Sequence, residues 1–246
     1  FLSGRGPIDM RPFVRFWNRL SYPRWITLED SVRKGEGVAG PFAFSPEEQK
    51  IFSEGVDAFS IGQALGLADA YDFSDCRRVL DLGGGTGSFL KILLDRYPHL
   101  SCTLFELPQA AAVAKERLGG TAYESKITVL GGDFLRDSIP AGHDVLLMAN
   151  VVHTLLPQQN QTLLERSRRA AAPGARLLIV DLWTNPAHTE PRIAALMAGE
   201  FLVIAGHGDV YSVEEGRAWL EQAGWSFIGQ TPLGGPASLV IAEARG

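Results

Sequence analysis

Three acidic residues and a run of glycines carry the first chemical signal in the chain. The stretch VLDLGGGTGSF, residues 79–89, sets Gly83, Gly85 and Gly87 between a strand-like run and a helix-like run, with Asp81 just ahead of them. Glycines there let the backbone turn sharply and let a ligand approach the peptide groups, and the following helix offers its positive end. The spacing is GxGxG, with Ser88 where a dinucleotide fingerprint has its last glycine. A carboxylate at Asp81 suits an ammonium group better than a pyrophosphate. Nineteen residues after Gly87, Glu106 ends the next apolar run and can take a ribose diol. Asp133 follows the third run in GGDF, and Phe134 beside it can cover an adenine ring. Together these positions describe a site for an adenosyl amino acid; a plain tight turn or a nicotinamide site is the competing reading of the glycines alone.

A second signal is His153, which interrupts the apolar stretch ANVVHTLLPQ at 149–158. A histidine exchanges its proton near neutral pH, so at a strand mouth it can act as a general base. In a core it is a hydrogen-bonded structural residue. The end of a strand, facing the crevice where open α/β sheets bind ligands, favours the base.

These residues need elements to hold them. RVLDLG, CTLFEL, KITVLGG, HDVLLMAN and RLLIVDLW read as strands, separated by the helical stretches SFLKILLDRY, PQAAAVAKERL and 157–172. Continuous apolar strands with helices between them predict a parallel sheet covered on both faces. WSFIGQTP and ASLVIAEA are two last strands, and the short TPLGGPA joining them fits only antiparallel neighbours. Before them, Ser212 and Glu215 form a capping box at the start of SVEEGRAWLEQAGW. Residues 1–75 show no strand pattern. Their arginine- and aromatic-rich start and a Gly/Pro-rich stretch lead into a helix predicted from about 46 to 70, so 1–75 is expected to be a helical linker or substrate lid and 76–246 the ligand-binding domain. The aromatic set Phe13, Phe16 and Trp17 is read as packing against another domain or a second subunit.

The bulk numbers bound the function. A net charge of -5 with 46% hydrophobic and 21% charged residues points to small molecules rather than nucleic acid. Cys76 and Cys102 fit neither a disulfide framework nor paired metal-ligand spacing, which favours a reducing cytoplasm and a metal-independent site. No apolar run approaches the roughly 18 residues of a membrane helix.

With DLGGGTG, FELPQ, GGDF and the Gln/Leu-rich helix after His153 in place, the chain resembles the class I S-adenosylmethionine-dependent methyltransferases, and within them the small-molecule O-methyltransferases of the caffeate and acetylserotonin type. The resemblance spans about Trp17 to Ala244 and implies a Rossmann-like seven-stranded sheet, mostly parallel with its last strand antiparallel, behind an N-terminal helical segment. It also implies an upstream winged-helix dimerisation domain, and a homodimer formed through that domain and residues near 11–25.

For the site, the resemblance implies S-adenosylmethionine, leaving as S-adenosylhomocysteine, held by Asp81, Gly83, Gly85, Gly87, Glu106, Leu107, Gly132, Asp133, Phe134 and Asn150, with Ser60 near its methionine end. His153 falls on the family's base, with Asp181 and Glu215 on its two flanking acids. Phe52, Phe59, Trp183, Met197 and Phe201 fall on the substrate pocket. The family's His-Asp-Trp triplet is His153, Thr154 and Leu155 here, and Ala149 stands where plant relatives often have lysine. The implied function is methylation of a hydroxyl on a small aromatic or polyketide-like product. A homologue that binds cofactor but hydroxylates, decarboxylates or cyclises, a non-catalytic module of a larger assembly, and more distantly a nicotinamide dehydrogenase are the alternatives.

Overall fold

The computed structural model describes residues 1–4, 8–37 and 44–245. Most of the Gly/Pro-rich stretch between 35 and 44 therefore lies outside the described residues. The five apolar runs form β1 (Arg78–Leu82), β2 (Ser101–Glu106), β3 (Ile127–Gly131), β4 (Val145–Ala149) and β5 (Arg176–Leu182), and the last two runs form β6 (Trp225–Pro232) and β7 (Ala237–Ala244). The seven strands make one sheet in the order β3-β2-β1-β4-β5-β7-β6. β1 to β5 are parallel, and β7 runs antiparallel to both of its neighbours. The antiparallel turn at 233–236 thus inserts the final strand inside the sheet, beside β5.

Alternation along the strands divides the core in two. Val79, Val145, Leu147, Leu178 and Val180 belong to one cluster, while Leu80, Leu82, Leu146, Met148 and Ile179 belong to the other. Every one of these side chains is buried. The first cluster is covered by α4 (Pro46–Ala70), α5 (Ser88–Arg96) and α6 (Pro108–Leu118), which contribute Leu67, Leu90, Leu93 and Ala114. The second is covered by α7 (Pro157–Ala170) and α9 (Val213–Gln222) through Leu163, Leu164 and Leu220. The central strands β1, β4 and β5 are buried on both faces, as their continuous apolar runs required.

The N-terminal segment is helical: α1 (Arg11–Phe16), a π-helical turn at Trp17–Ser21, α2 (Tyr22–Trp25) and α3 (Leu28–Lys34). It packs on α4 and on α8 (Arg192–Ala205). α4 starts at a capping box of Ser45 and Glu48 with Pro46 at its first position, and α9 starts at the Ser212–Glu215 box read from the sequence. The parallel order reverses between β1 and β4, and the crevice beyond their carboxyl ends is where such sheets bind ligands.

Candidate cofactor and acceptor site

Asp81 lies in β1 directly beneath the glycine loop. It is fully buried, and neither carboxylate oxygen has a hydrogen-bond partner among the described residues. A side-chain carbon on Gly84 would fall 2.1 Å from its Oδ2, so the loop closes over the carboxylate only because that position is glycine. Burial, and then the negative charge of Glu106, push the Asp81 carboxyl up to about 8. An unsatisfied buried carboxylate is unfavourable by itself, and an ammonium-bearing ligand held against the glycine backbone satisfies it.

Glu106 ends β2 on the same crevice. Its Oε2 accepts the Gly85 N–H at 3.1 Å and its Oε1 accepts the Leu107 N–H at 2.8 Å. Burial raises its carboxyl, and these two donors pull it back. Gly83 has φ of 77°, and a side-chain carbon there would meet Val151 at 3.0 Å and the Phe134 ring at 3.3 Å. Phe134 therefore stands over the loop. Asp133 accepts the Leu135 N–H at 2.8 Å and lies 3.5 Å from Arg136. Gly132 donates its N–H to the Glu106 carbonyl at 2.9 Å, which ties the third strand's exit to the second's. Carboxylates, glycine backbone and an aromatic face thus converge as an adenosyl amino acid requires.

The opposite wall comes from α4. Asp57, Ser60 and Gln63, spaced three apart, form a polar stripe on it. Asp57 accepts Thr86 Oγ1 at 2.6 Å, Ser88 Oγ at 2.7 Å and Arg117 Nη1 at 2.8 Å. Gln63 exchanges two hydrogen bonds with Asn150, at 2.7 and 3.2 Å, and Asn150 holds a left-handed φ of 58°. Ser60 is buried between them in the stripe. Asp57, Gln63, Thr86 and Arg117 were missed in the sequence, where only the threefold polar spacing inside a helix could have flagged the first two.

His153 sits in a 3-10 turn, Val152–Thr154, just past β4. Its Nδ1 lies 2.5 Å from Asp181 Oδ1, with both side chains buried. Asp181 also accepts the backbone N–H of His153 at 3.4 Å and of Leu182 at 2.8 Å. With Nδ1–H donating to the carboxylate, Nε2 is the nitrogen left to meet an acceptor. The turn itself is clamped: Asn160 Nδ2 donates to the Val152 carbonyl at 3.0 Å, Tyr211 donates to the Leu155 carbonyl at 2.6 Å, and the Asp209 N–H donates to the His153 carbonyl at 3.2 Å. Thr154 Oγ1 returns to the Val151 carbonyl at 2.7 Å, and Leu155 is buried in the core. The departure from His-Asp-Trp is absorbed as a self-capped turn and a packing residue.

Two expected site residues have capping or packing partners of their own. The carboxylate that meets the imidazole is Asp181, whereas Glu215 is engaged with Ser212, through its N–H and hydroxyl at 2.8 Å, and with His188 Nε2 at 2.9 Å. The capping box takes the carboxylate because it lies at the third position of α9. Trp183 is buried with its ring against Gly216 of α9. Of the remaining pocket candidates, Phe201 stacks face to face on His153, with ring centres 3.7 Å apart and planes inclined by 12°. Met197 packs with Phe201 on a small cluster of Leu182, Ala194, Val210 and Ala237. Phe59 stacks on Phe13 at 5.2 Å and Phe52 meets Phe16 edge-on at 5.8 Å, so both join α4 to α1. Among the described residues no group of three or more His, Cys, Asp or Glu could hold a metal ion, and no helix is long and apolar enough to cross a membrane.

Known proteins resemble the chain in sequence and fold. A family model for an O-methyltransferase domain matches residues 25–226. A 3-hydroxy-5-methyl-1-naphthoate 3-O-methyltransferase of Streptomyces sahachiroi is 32% identical over 240 residues, which is 95% of this chain and 69% of that protein. A mitomycin biosynthesis 6-O-methyltransferase of Streptomyces lavendulae is 33% identical over 226 residues, 88% of this chain and 64% of that protein. The solved structure of a mitomycin 7-O-methyltransferase matches with a TM-score of 0.85 at 30% identity, covering 96% of this chain and 72% of that one. Human N-acetylserotonin methyltransferase in complex with S-adenosylmethionine shares the fold, with a TM-score of 0.88 at 23% identity over 98% of this chain and 72% of that one. On its sheet order, its glycine crevice and these matches, the chain belongs to the S-adenosylmethionine-dependent O-methyltransferase family.

Proposed function

We propose that the chain methylates a hydroxyl of a small aromatic or polyketide-like natural product, with His153 as general base and Asp181 as its partner. The observation that carries this reading is the buried His153–Asp181 pair, 2.5 Å apart, at the carboxyl end of the strand beside the Asp81 and Glu106 crevice.

Asp81, Glu106, Asp133 and the glycine backbone hold the cofactor, Phe134 covers its adenine, and Ser60, Gln63 and Asn150 lie toward its methionine end. When bound, the cofactor supplies a sulfonium methyl that is already a strong electrophile. What remains for the protein is to align an oxygen with that methyl and remove its proton. His153 Nε2 takes the proton of the acceptor hydroxyl, and Asp181 fixes the tautomer through Nδ1–H and stabilises the imidazolium that forms. Phe201 and Met197 on α8, with Phe52 and Phe59 on α4, form the apolar walls around a flat acceptor. Residues 1–75 serve as the helical lid and 76–246 as the cofactor-binding domain. A homodimer formed through the N-terminal helices, and a cytoplasmic location, complete the reading.

The test is transfer of labelled methyl from S-adenosylmethionine to hydroxyaromatic acceptors such as hydroxynaphthoates. His153→Ala is expected to keep affinity for S-adenosylhomocysteine and lose about a hundredfold or more in kcat. Labelled cofactor that binds without ever passing its label to a hydroxyl would sink the proposal.

A further inference from the structure

A buried acid outside the reaction site ties α8 to the N-terminal segment. Glu200 is 2% exposed. Its Oε2 accepts Ser21 Oγ at 2.5 Å and Trp25 Nε1 at 2.6 Å, while its Oε1 is buried with no partner among the described residues. Burial pushes this carboxyl up, and the Ser21 and Trp25 donors pull it back. The grip continues on either side. The Trp25 ring lies so close to Gly199 that a side-chain carbon there would come within 2.9 Å of it. Arg24 donates to the Ile204 carbonyl at 3.3 Å, and the Gly37 N–H donates to the Gly206 carbonyl at 2.8 Å. One residue along from Glu200, Phe201 is stacked on the imidazole of His153.

We infer that Glu200 is a positioning residue: by pinning α8 to Ser21 and Trp25, it sets the height and tilt at which Phe201 lies on His153. The physical case rests on the position and chemistry of Glu200, one residue from Phe201. α8 is an apolar helix, RIAALMAGEFLVIA, whose van der Waals contacts are not directional. The two short hydrogen bonds that fix the carboxylate are, because any slide that lengthens them leaves a buried charge unsatisfied. Retaining so costly a group in an apolar interface is rational when it specifies register rather than adding stability. The N-terminal segment then reaches the base through two steps, Glu200 to the segment and Phe201 to the imidazole. The inference rests on the proposed role of His153 only for its catalytic consequence; the pin itself is a matter of geometry.

The test reads that geometry without turnover. In protein carrying labelled histidine, an aromatic ring stacked on the imidazole displaces the His153 ring protons upfield. The His153→Gln protein identifies the signal among the five histidines. Glu200→Leu is expected to lose the displacement, and Glu200→Gln, which keeps a carbonyl oxygen for both donors, is expected to retain it. Trp25→Phe keeps a smaller aromatic ring beside Gly199 and removes the Nε1 donor, so it is expected to lose part of the displacement and covers the case in which Glu200→Leu does not fold. Affinity for S-adenosylhomocysteine stays unchanged in all three. The inference is overturned if the wild-type signal is not displaced, if neither Glu200→Leu nor Trp25→Phe alters it, or if cofactor affinity falls in step with the signal. Failure of His153→Ala to lose activity would instead remove the base and leave the pin standing.

Discussion

Asp181 holds His153 at two points, with Oδ1 2.5 Å from Nδ1 and Oδ2 accepting the backbone N–H at 3.4 Å. The first contact sets the tautomer, and the second fixes the turn that carries the ring. Asp181→Asn preserves the shape but removes the charge that balances an imidazolium. Its kcat is expected to fall about a hundredfold or more, with affinity for S-adenosylhomocysteine unchanged. Steady-state kinetics beside calorimetric titration separate the two effects.

Asp81 makes cofactor binding and stability move in opposite directions with pH. Its carboxyl, ordinarily at 3.8, is raised to about 8 in the cofactor-free protein. A group raised on folding contributes stability that is complete below its unfolded value and is lost as the pH climbs through the folded value. Cofactor-free protein is therefore expected to lose stability between about pH 4 and 8, and Asp81→Asn to melt above wild type at the upper end. The same substitution removes the ammonium partner and weakens S-adenosylhomocysteine binding about tenfold or more. In wild type, affinity rises toward pH 8 with release of a proton, seen as a buffer-dependent binding enthalpy; an enthalpy independent of buffer contradicts this.

Asp57 anchors the start of α5 through Thr86 and Ser88 and pairs with Arg117 at the end of α6. Asp57→Ala leaves two buried hydroxyls and a guanidinium without their acceptor, so the glycine loop loosens where it must be rigid. Cofactor affinity is expected to drop about tenfold, at a cost of about 1–3 kcal/mol in stability. The acceptor KM at saturating cofactor stays near wild type, which distinguishes this residue from the walls on α8.

Glu215 is expected to matter for stability and not for turnover. Burial alone would raise its carboxyl, but the Ser212 N–H, the Ser212 hydroxyl and His188 outweigh that and lower it. A depressed carboxyl contributes stability that is present above its unfolded value and lost as the pH falls through the folded one. Glu215→Ala should lower the melting temperature at neutral pH by the equivalent of about 1 kcal/mol of capping and leave kcat essentially intact. A loss of kcat comparable with that of Asp181→Asn would restore Glu215 to the base.

Much of this architecture was legible because burial on two faces writes continuous apolar strands, and because glycines between a strand and a helix have few other uses. The Ser212–Glu215 box was equally plain, since both halves of the device are local. What the sequence concealed is contact between distant segments. Asp57 is one of two aspartates in a 25-residue helix, and nothing near it announces Thr86, Ser88 or Arg117. Phe201 and Glu200 are neighbours whose partners lie 48 and at least 175 residues away. The second acid, Glu215, is drawn into the cap for a physical reason: at the third position of its helix its carboxylate meets the Ser212 N–H and hydroxyl.

The insertion of β7 between β5 and β6 orders events in time as well as in space. β5 carries Asp181, and its register with β7 pairs Asp181 with Ser238 and Leu182 with Ala237. A ribosome delivers residues 237–244 after every other strand has emerged, so β5 waits with an open edge while the glycine crevice and its strands are already made. The half that grips the cofactor can assemble first. The strand that bears the partner of the base is sealed into the sheet by the last of the sheet's seven strands in chain order.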